Sequence, residues 1–242
     1  MRIPRLYTPA ALAPGTVTEL APASSRRLLR VLRLRDGDPL VLFNGDGHDY
    51  AARLQARGRE QAQAEILERR ANACESPLHI SLLQGISRGE RMDFTLQKAV
   101  ELGVGAVYPV FCDRSVVRLD GKRAERRLQH WQGVIISACE QSGRSRLPEL
   151  HPPQGLTEML AKLPPGQRLL PEPGSPAGLA SLTASTELVL LVGPEGGLSE
   201  SESDQARDAQ FQSIHLGPRI LRTETAGVAT LAALQALWGD LR

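Results

Sequence analysis

The chain has 242 residues, of which 41% are hydrophobic, so it is long enough to bury a core in one large domain or two small ones. No segment approaches ~20 consecutive apolar residues and the N-terminus carries no apolar signal region, so we expect neither a membrane span nor export, and we predict a cytoplasmic location. The three cysteines and five histidines are scattered, which favours free thiols and no metal site.

Positive charge in this chain is concentrated in arginine. The net charge is only +2, but Lys98, Lys122 and Lys162 are the only lysines. A predicted helix that runs into a turn carries a cluster within ten residues, namely Arg26, Arg27, Arg30, Arg33 and Arg35. Planar guanidinium groups suit phosphates and stack on bases. Such runs are often only solvated faces, but a cluster this dense produces a local positive field, so we predict RNA contact here and assign Arg5 to the same surface.

The N-terminal part has the pattern of a β-meander. Short apolar runs at Leu40–Phe43, Tyr50–Gln55 and Gln61–Leu67 predict antiparallel strands. The turn residues Asn44–Gly47 separate the first two. We therefore predict a small β-rich domain over residues 1–73.

Strands and helices alternate after residue 77. The predicted elements are a strand over Leu78–Leu83, a helix over Arg91–Leu102, a strand over Val104–Val110, a helix over Lys122–Glu140 and a strand near Leu169. Alternation of this kind predicts a mostly parallel sheet with covered faces, in a second domain over residues 74–242. A helix precedes Gly103 and a strand follows it, so Gly103 fits a helix C-cap and not the strand–glycine–helix order of a Rossmann-type site.

Two loops near the C-terminus predict a ligand site. Gly193–Gly197 follows the apolar run Leu188–Val192, which is typical of a strand buried on both faces. Ligands of open α/β sheets lie beyond the carboxyl ends of such strands, and glycines leave backbone groups accessible. A plain turn before a helix with a capping box at Ser199 and Glu202 is the alternative.

The second loop, Leu216–Ala226, contains five polar side chains directly before an apolar helix: Arg219, Arg222, Thr223, Glu224 and Thr225. The helix that starts at Ala226 is apolar on every face, so we expect it to be buried. Charges at its start either pair with each other in a structural salt bridge or serve a ligand. Two loops of this kind in one region favour a ligand site.

Several blocks of the chain, taken together and in order, resemble one enzyme family. The blocks are the opening Met1–Tyr7, KAVELGV at Lys98–Val104, SACEQSGR at Ser137–Arg144, LVGPEGGLSESE and HLGPRILRTETAGVATLAALQ. They are similar to blocks of the bacterial 16S ribosomal RNA uridine-N3 methyltransferases, members of the SPOUT class. The resemblance implies an α/β fold in which a C-terminal SPOUT-type parallel sheet with a trefoil knot is preceded by a small β-rich PUA-like domain.

The resemblance also implies a cofactor and partners. S-adenosyl-L-methionine is expected as cofactor, and 16S ribosomal RNA in the small ribosomal subunit and a second copy of the chain are expected as partners. The apolar helix over Thr230–Trp238 fits such a homodimer, since it has more apolar surface than one small domain covers. Mapped onto this chain, the implied cofactor residues are Leu170, Pro171, Glu172, Gly193, Pro194, Glu195, Gly196, Leu216, Gly217, Ile220, Leu221 and Thr225.

Methylation of uridine N3 requires loss of the N3 proton and stabilisation of the resulting negative charge, so the site needs a base and a cationic donor. Two carboxylate–arginine pairs are candidates, Glu224 with Arg222 and Glu140 with Arg144. A non-catalytic RNA-binding or ribosome-assembly factor remains an alternative. So does a nucleotide-phosphate binder, although Glu195 would repel phosphate and no Lys or Thr follows the glycine loop as in a P-loop.

Overall fold

A computed structural model describes residues 3–58, 60–115 and 121–241. The chain divides into two compact units, and residues Met1–Glu75 with Cys139–Leu147 form the first. The second unit consists of Ser76–Ala138 and Pro148–Arg242. Met1 and Arg2 of the N-terminal block lie outside the described residues, and the domain boundary after residue 73 stays a prediction.

The first unit is built on a mostly antiparallel sheet. Its strands are β1 (Arg5–Tyr7), β2 (Val17–Glu19), β3 (Pro39–Phe43), β4 (His48–Ala56) and β5 (Ala62–Ala71), in the order β1-β3-β4-β5-β2. The predicted meander is β3–β4–β5, whose pairings are antiparallel. Gly45 and Gly47 have φ of 96° and 89°, which permits the tight turn between β3 and β4. Alternate residues such as Leu40, Leu42 and Leu54 form the core.

The arginine cluster lies on a short helical segment of the first unit. Helix α1 (Pro22–Arg26) continues into a π-helical turn over Arg27–Val31. Leu28 of this turn is fully buried, whereas the five arginines of the cluster are exposed. The Leu34 amide donates to the Leu28 carbonyl at 3.0 Å, and the reversal that allows this bond places Arg33 in the left-handed region with φ of 55°.

The second unit is an α/β structure, as the alternating pattern predicts. Its strands are β6 (His79–Gly85), β7 (Ala106–Phe111), β8 (Glu149–Leu150), β9 (Gln154–Gly155), β10 (Gln167–Pro171), β11 (Glu187–Val192) and β12 (Gln212–Ile214). Its helices are α2 (Glu90–Glu101), α3 (Gly121–Ser142, whose last four residues belong to the first unit), α4 (Leu156–Leu160), α5 (Glu200–Asp208) and α6 (Thr223–Trp238). The capping box of Ser199 and Glu202 is present at α5.

The sheet of the second unit is parallel. The strand order is β12-β10-β11-β6-β7-β8, and β9 also pairs with β7. Residues Leu188–Leu191 of β11 are fully buried, as expected of a strand covered on both faces. The fold class is therefore α/β with a β-rich first unit, while the trefoil knot stays a prediction. Among the described residues, no helix is long and apolar enough to cross a membrane.

Helix α6 corrects one expectation. Its apolar pattern predicts a buried helix, but only one side is buried, including Gly227, Leu231 and Leu234. Ala236 is exposed, and Leu237 has an exposure of 45%. The uniform apolar pattern shows that no face of the helix carries charged side chains from Ala226 onward. It does not predict which faces pack against other parts of the chain.

Candidate functional site

A cavity of about 590 Å³ lies in the second unit, where three chain segments follow strands of the parallel sheet. The segments are Leu170–Pro173 at the end of β10, Val192–Leu198 at the end of β11, and residues 216–224, which lead from β12 into the first turn of α6. Strands β10 and β11 are neighbours and β12 flanks β10, so their carboxyl ends meet at one edge of the sheet. The volume is within the range of about 300–1,000 Å³ usual for small-molecule sites.

The residues that the resemblance assigns to the cofactor meet at this cavity, with one exception. The cavity is lined by Leu170, Pro171, Glu172, Gly193, Pro194, Glu195, Gly196, Leu216, Gly217, Ile220 and Leu221. Thr225 does not line it and is exposed, whereas Glu224 and Ala226 on either side of it do line it. Helix α6 begins at Thr223, so consecutive residues there point in different directions. The role of each of these residues stays a prediction.

A close backbone contact shapes the glycine loop. A Cβ atom on Gly85, the last residue of β6, would lie 2.4 Å from Pro194 N and 2.7 Å from the Gly193 carbonyl carbon. Only glycine permits the loop to pass so near the strand. At Gly196 the nearest atom to an added Cβ is the Cβ of Arg114, at 2.9 Å, so a side chain there would first meet Arg114.

A chain of hydrogen bonds joins three elements at the base of the cavity. The Gln84 amide Nε2 of β6 donates to Thr223 Oγ1 at 3.1 Å, and Thr223 Oγ1 donates to the Gly193 carbonyl. Gln84 is fully buried. The chain therefore connects β6, the glycine loop and the start of α6, and it keeps the two predicted loops in a defined relative position.

Arg91 of α2 holds two carboxylates at the mouth of the cavity. Its Nη1 donates to Glu195 Oε1 at 3.0 Å, and its Nε lies 3.9 Å from Glu224 Oε1. The Arg88 amide also donates to Glu195 Oε1, at 2.8 Å. Burial alone raises the pKa of Glu195, but the hydrogen bonds from the Arg88 amide, its own backbone and Arg91 outweigh burial and lower the pKa. Glu195 is therefore an anion at neutral pH.

The second oxygen of each carboxylate has no hydrogen-bond partner. Within the described part of the chain, Glu195 Oε2 and Glu224 Oε2 are both buried and unpaired. Unpaired buried acceptors are uncommon because each costs desolvation energy. Two of them at one cavity fit a ligand that supplies N–H donors or positive charge.

Arg222 and Glu224, the first candidate catalytic pair, are both at the cavity but are not paired with each other. Arg222 is exposed and is the N-cap residue of α6, and Glu224 has its ion pair with Arg91. Among the described residues, no salt bridge joins Arg222 to a carboxylate. The structural salt bridge considered above as the alternative is therefore absent from this part of the chain.

Glu140 and Arg144, the second candidate pair, belong to the first unit and contact other residues. The Glu140 carboxylate accepts hydrogen bonds from the Tyr7 amide at 3.1 Å and from Arg27. The buried Arg144 guanidinium donates to Glu75 Oε2, with Nη2 at 2.7 Å and Nε at 3.2 Å. These contacts stabilise the segment 139–147 within the first unit. They give the pair a structural role there, and its catalytic role stays a prediction.

The predicted RNA-binding arginines of the first unit differ in accessibility. Arg26, Arg30, Arg33 and Arg35 are exposed, and Arg30 pairs with Glu60 at 2.7 Å. Arg5 is different, because its side chain is only 12% exposed and pairs with Asp49 at 2.7 Å. An arginine so enclosed has little surface left for a phosphate.

Sequence reasoning did not identify Arg91, Gln84 or the role of Thr223 as a bridge. Arg91 belongs to α2 and Gln84 to β6, more than a hundred residues before the glycine loop. The signal that could have identified them was the strand predicted over residues 78–83 and the helix predicted after it. Because β6 is the sheet neighbour of β11, the helix after β6 begins at the same edge as the glycine loop.

Both parts of the chain match known families of RNA methyltransferases. Residues 74–235 match the RNA methyltransferase domain family, and residues 28–67 match the RNA methyltransferase PUA domain. The ribosomal RNA small subunit methyltransferase E of Buchnera aphidicola is 33% identical over 99% of this chain and 98% of its own length. That of Bacillus subtilis is 29% identical over 86% of this chain and 85% of its own length.

Two solved structures are similar over the full length of both chains. The ribosomal RNA small subunit methyltransferase E of Neisseria gonorrhoeae, bound to S-adenosyl methionine, is 46% identical with a TM-score of 0.92. A putative methyltransferase of Legionella pneumophila, in complex with the bound cofactor SAM, is 36% identical with a TM-score of 0.95. The sequence and the fold therefore place this chain in the ribosomal RNA small subunit methyltransferase E family of RNA methyltransferases.

Proposed function

We propose that this protein transfers the methyl group of S-adenosyl-L-methionine to N3 of a uridine in 16S ribosomal RNA. The observation that carries the proposal is the cavity of the second unit with its two unpaired carboxylate oxygens, Glu195 Oε2 and Glu224 Oε2. A sulfonium cofactor with an ammonium group and N–H donors matches Glu195 Oε2 in charge and in hydrogen bonding, and the N3–H group of a uridine matches Glu224 Oε2. The relatives that are bound to this cofactor support the same choice.

The cofactor would be held by the three segments around the cavity. Backbone groups of Gly193–Gly196 and of residues 216–221 are accessible to a ligand, and Leu170 and Pro171 supply apolar surface. Glu172 is kept in place by the Ser213 hydroxyl, which donates to its Oε2 at 2.7 Å. When bound, the cofactor supplies an electrophilic methyl group on a positively charged sulfur.

The residues of this chain then activate the uridine. N3 must lose its proton before it can attack the methyl carbon, and the negative charge spreads to the flanking carbonyl oxygens. We propose that Glu224 Oε2 accepts the N3 proton as the general base, since it is a buried oxygen without a hydrogen-bond partner in the described residues. Arg222 cannot act as base because it stays protonated, but its guanidinium can donate to a uridine carbonyl as charge develops there. The N3–carbon bond forms as the sulfur–carbon bond breaks, and the electron pair of that bond remains on sulfur.

The target base must be accessible at N3. This atom lies on the Watson–Crick edge, so the uridine is unpaired or is turned out of a helix when it enters the site. The exposed arginines of the first unit are proposed to bind the surrounding RNA backbone. We further propose that the protein acts in the cytoplasm as a homodimer, in which the exposed side of α6 around Leu237 contacts the second copy.

The experiment combines cofactor binding with product identification. Calorimetry with S-adenosyl-L-methionine distinguishes the enzyme from a non-catalytic RNA-binding factor and from a phosphate binder, since only the enzyme binds it. Small ribosomal subunits that lack the modification are then incubated with protein and labelled cofactor, digested to nucleosides and analysed by mass spectrometry. The label is expected in N3-methyluridine, and Glu224→Gln is expected to lose transfer while it keeps cofactor binding. Label on ribose or on another base would refute the assignment.

A further inference from the structure

Four exposed arginines surround the mouth of the cavity in the second unit. We call them the arginine rim, and they are Arg88, Arg114, Arg219 and Arg222. Arg219 and Arg222 line the cavity itself. The Arg88 amide donates to Glu195 Oε1, and Arg114 Nη1 donates to the Gly196 carbonyl at 3.1 Å, so both lie directly beside the glycine loop.

The rim has a net positive charge that the cavity does not neutralise. Within the described ranges, no carboxylate lies within salt-bridge distance of Arg88, Arg114, Arg219 or Arg222. Three carboxylates line the cavity: Glu195 and Glu224 pair with Arg91, and Glu172 pairs with Arg207. Guanidinium groups that have no carboxylate partner and lie at one opening produce a positive local field, although the whole chain has a net charge of only +2.

An apolar side chain lies in the middle of this charged surface. Ile220 lines the cavity and is 84% exposed, more than any other large hydrophobic residue of the described chain. It follows Arg219 directly and stands two positions before Arg222. Exposure of such a side chain to water is unfavourable relative to its burial. The combination fits a partner that offers phosphates and apolar faces at short spacing.

We infer that the arginine rim is a second RNA-binding surface, which holds single-stranded RNA on either side of the target nucleotide. In this inference, which rests on the proposed function, Arg88 and Arg219 bind backbone phosphates and Ile220 packs on the face of the base next to the target. Single-stranded RNA alternates phosphates with bases whose flat faces are apolar, which matches the alternation of charge and apolar surface in the rim. The side chain of Ile220 therefore contacts RNA in this inference, whereas its backbone is accessible to the cofactor.

The first test measures the salt dependence of RNA binding. A uridine-containing single-stranded RNA is titrated into the full-length protein saturated with the demethylated cofactor product, so that no transfer occurs. Each lost phosphate contact lowers the log–log slope by about 0.7 for single strands, so Arg88→Gln with Arg219→Gln should lower it by about 1.4. The matched control, Lys98→Gln with Lys162→Gln, removes the same charge from two lysines that pair with Glu101 and Glu158. It should leave the slope unchanged.

The second test separates base contact from charge. Ile220→Ser should weaken binding of the RNA several-fold but leave binding of inorganic polyphosphate unchanged, because polyphosphate has no bases. If the slope of log RNA affinity against log salt concentration is equal in the arginine double variant and its lysine control, the inference for the rim is overturned. A change of oligomeric state in Ile220→Ser, with RNA affinity intact, would overturn it for Ile220 and assign that residue to a contact between copies. Both tests measure binding alone, so failure of the proposed function, seen as a different product, remains distinguishable.

Discussion

Arg91 Nη1 donates a hydrogen bond to Glu195 Oε1 at 3.0 Å and so links helix α2 to the glycine loop of the cavity. The same guanidinium has its Nε 3.9 Å from Glu224 Oε1. One cation therefore keeps two carboxylates near each other that would otherwise repel. This contact predicts a distinctive dependence of stability on pH.

We expect Arg91→Gln to lower the melting temperature near neutral pH. The folded-state pKa of Glu195 lies below its ordinary value of 4.5, so its ionised form contributes stability above that value. This contribution is lost as the pH falls through the lowered pKa. The difference between wild type and Arg91→Gln should therefore be largest above about pH 5 and shrink in more acidic solution. Thermal melts over a pH series test this, and a difference that grows on acidification would contradict it.

Arg222→Ala should reduce catalysis without reducing stability. Arg222 is exposed and, among the described residues, has no salt bridge to lose, so the melting temperature should change little. Loss of a donor that stabilises developing charge typically costs about a hundredfold or more in rate. Methyl transfer, cofactor affinity and thermal melting are measured on one preparation, with Arg126→Ala of α3 as the control. A large fall in melting temperature would instead give Arg222 a structural role.

Gly85→Ala should disrupt the cavity. The added Cβ would lie 2.4 Å from Pro194 N and 2.6 Å from Pro194 Cδ, closer than such atoms can approach, so the glycine loop must move. We expect a large loss of cofactor affinity by calorimetry together with a lower melting temperature. Gly133→Ala is the control, because Gly133 is exposed within α3 and an added Cβ would meet open space there. That change should raise stability by roughly 0.5–1 kcal/mol and leave cofactor affinity unchanged.

Arg33→Gly should separate RNA binding from stability. Arg33 has φ of 55°, a conformation that costs an L-residue roughly 1–2 kcal/mol, and glycine relieves this cost while it adds roughly 0.5–1 kcal/mol of unfolded-chain entropy. The melting temperature should therefore hold or rise slightly, while RNA affinity falls with the loss of a phosphate contact. Arg26→Gly removes the same charge at a helical residue with φ of −60°, so it should lower both. Unchanged RNA affinity in Arg33→Gly would exclude its phosphate contact.

The sequence by itself determined the features that depend on neighbours along the chain. The apolar run Leu188–Val192 indicates a buried strand, and the spacing of Ser199 and Glu202 indicates a capping box, because each pattern is completed within one or two turns of chain. Gly103 was correctly interpreted as the end of a helix, which is α2. The order of these elements also indicates that each of the two C-terminal loops begins at the end of a strand.

The tertiary structure alone decided which distant groups meet. Arg91 and Glu195 are 104 residues apart, and Tyr7 and Glu140 are 133 residues apart, so no periodicity connects them. Sheet order brings the end of β6 beside the glycine loop, and this placement gives Glu195 and Glu224 a shared partner in Arg91. Sequence patterns record whether a side chain avoids water, but the identity of its partner depends on how the strands are ordered in space.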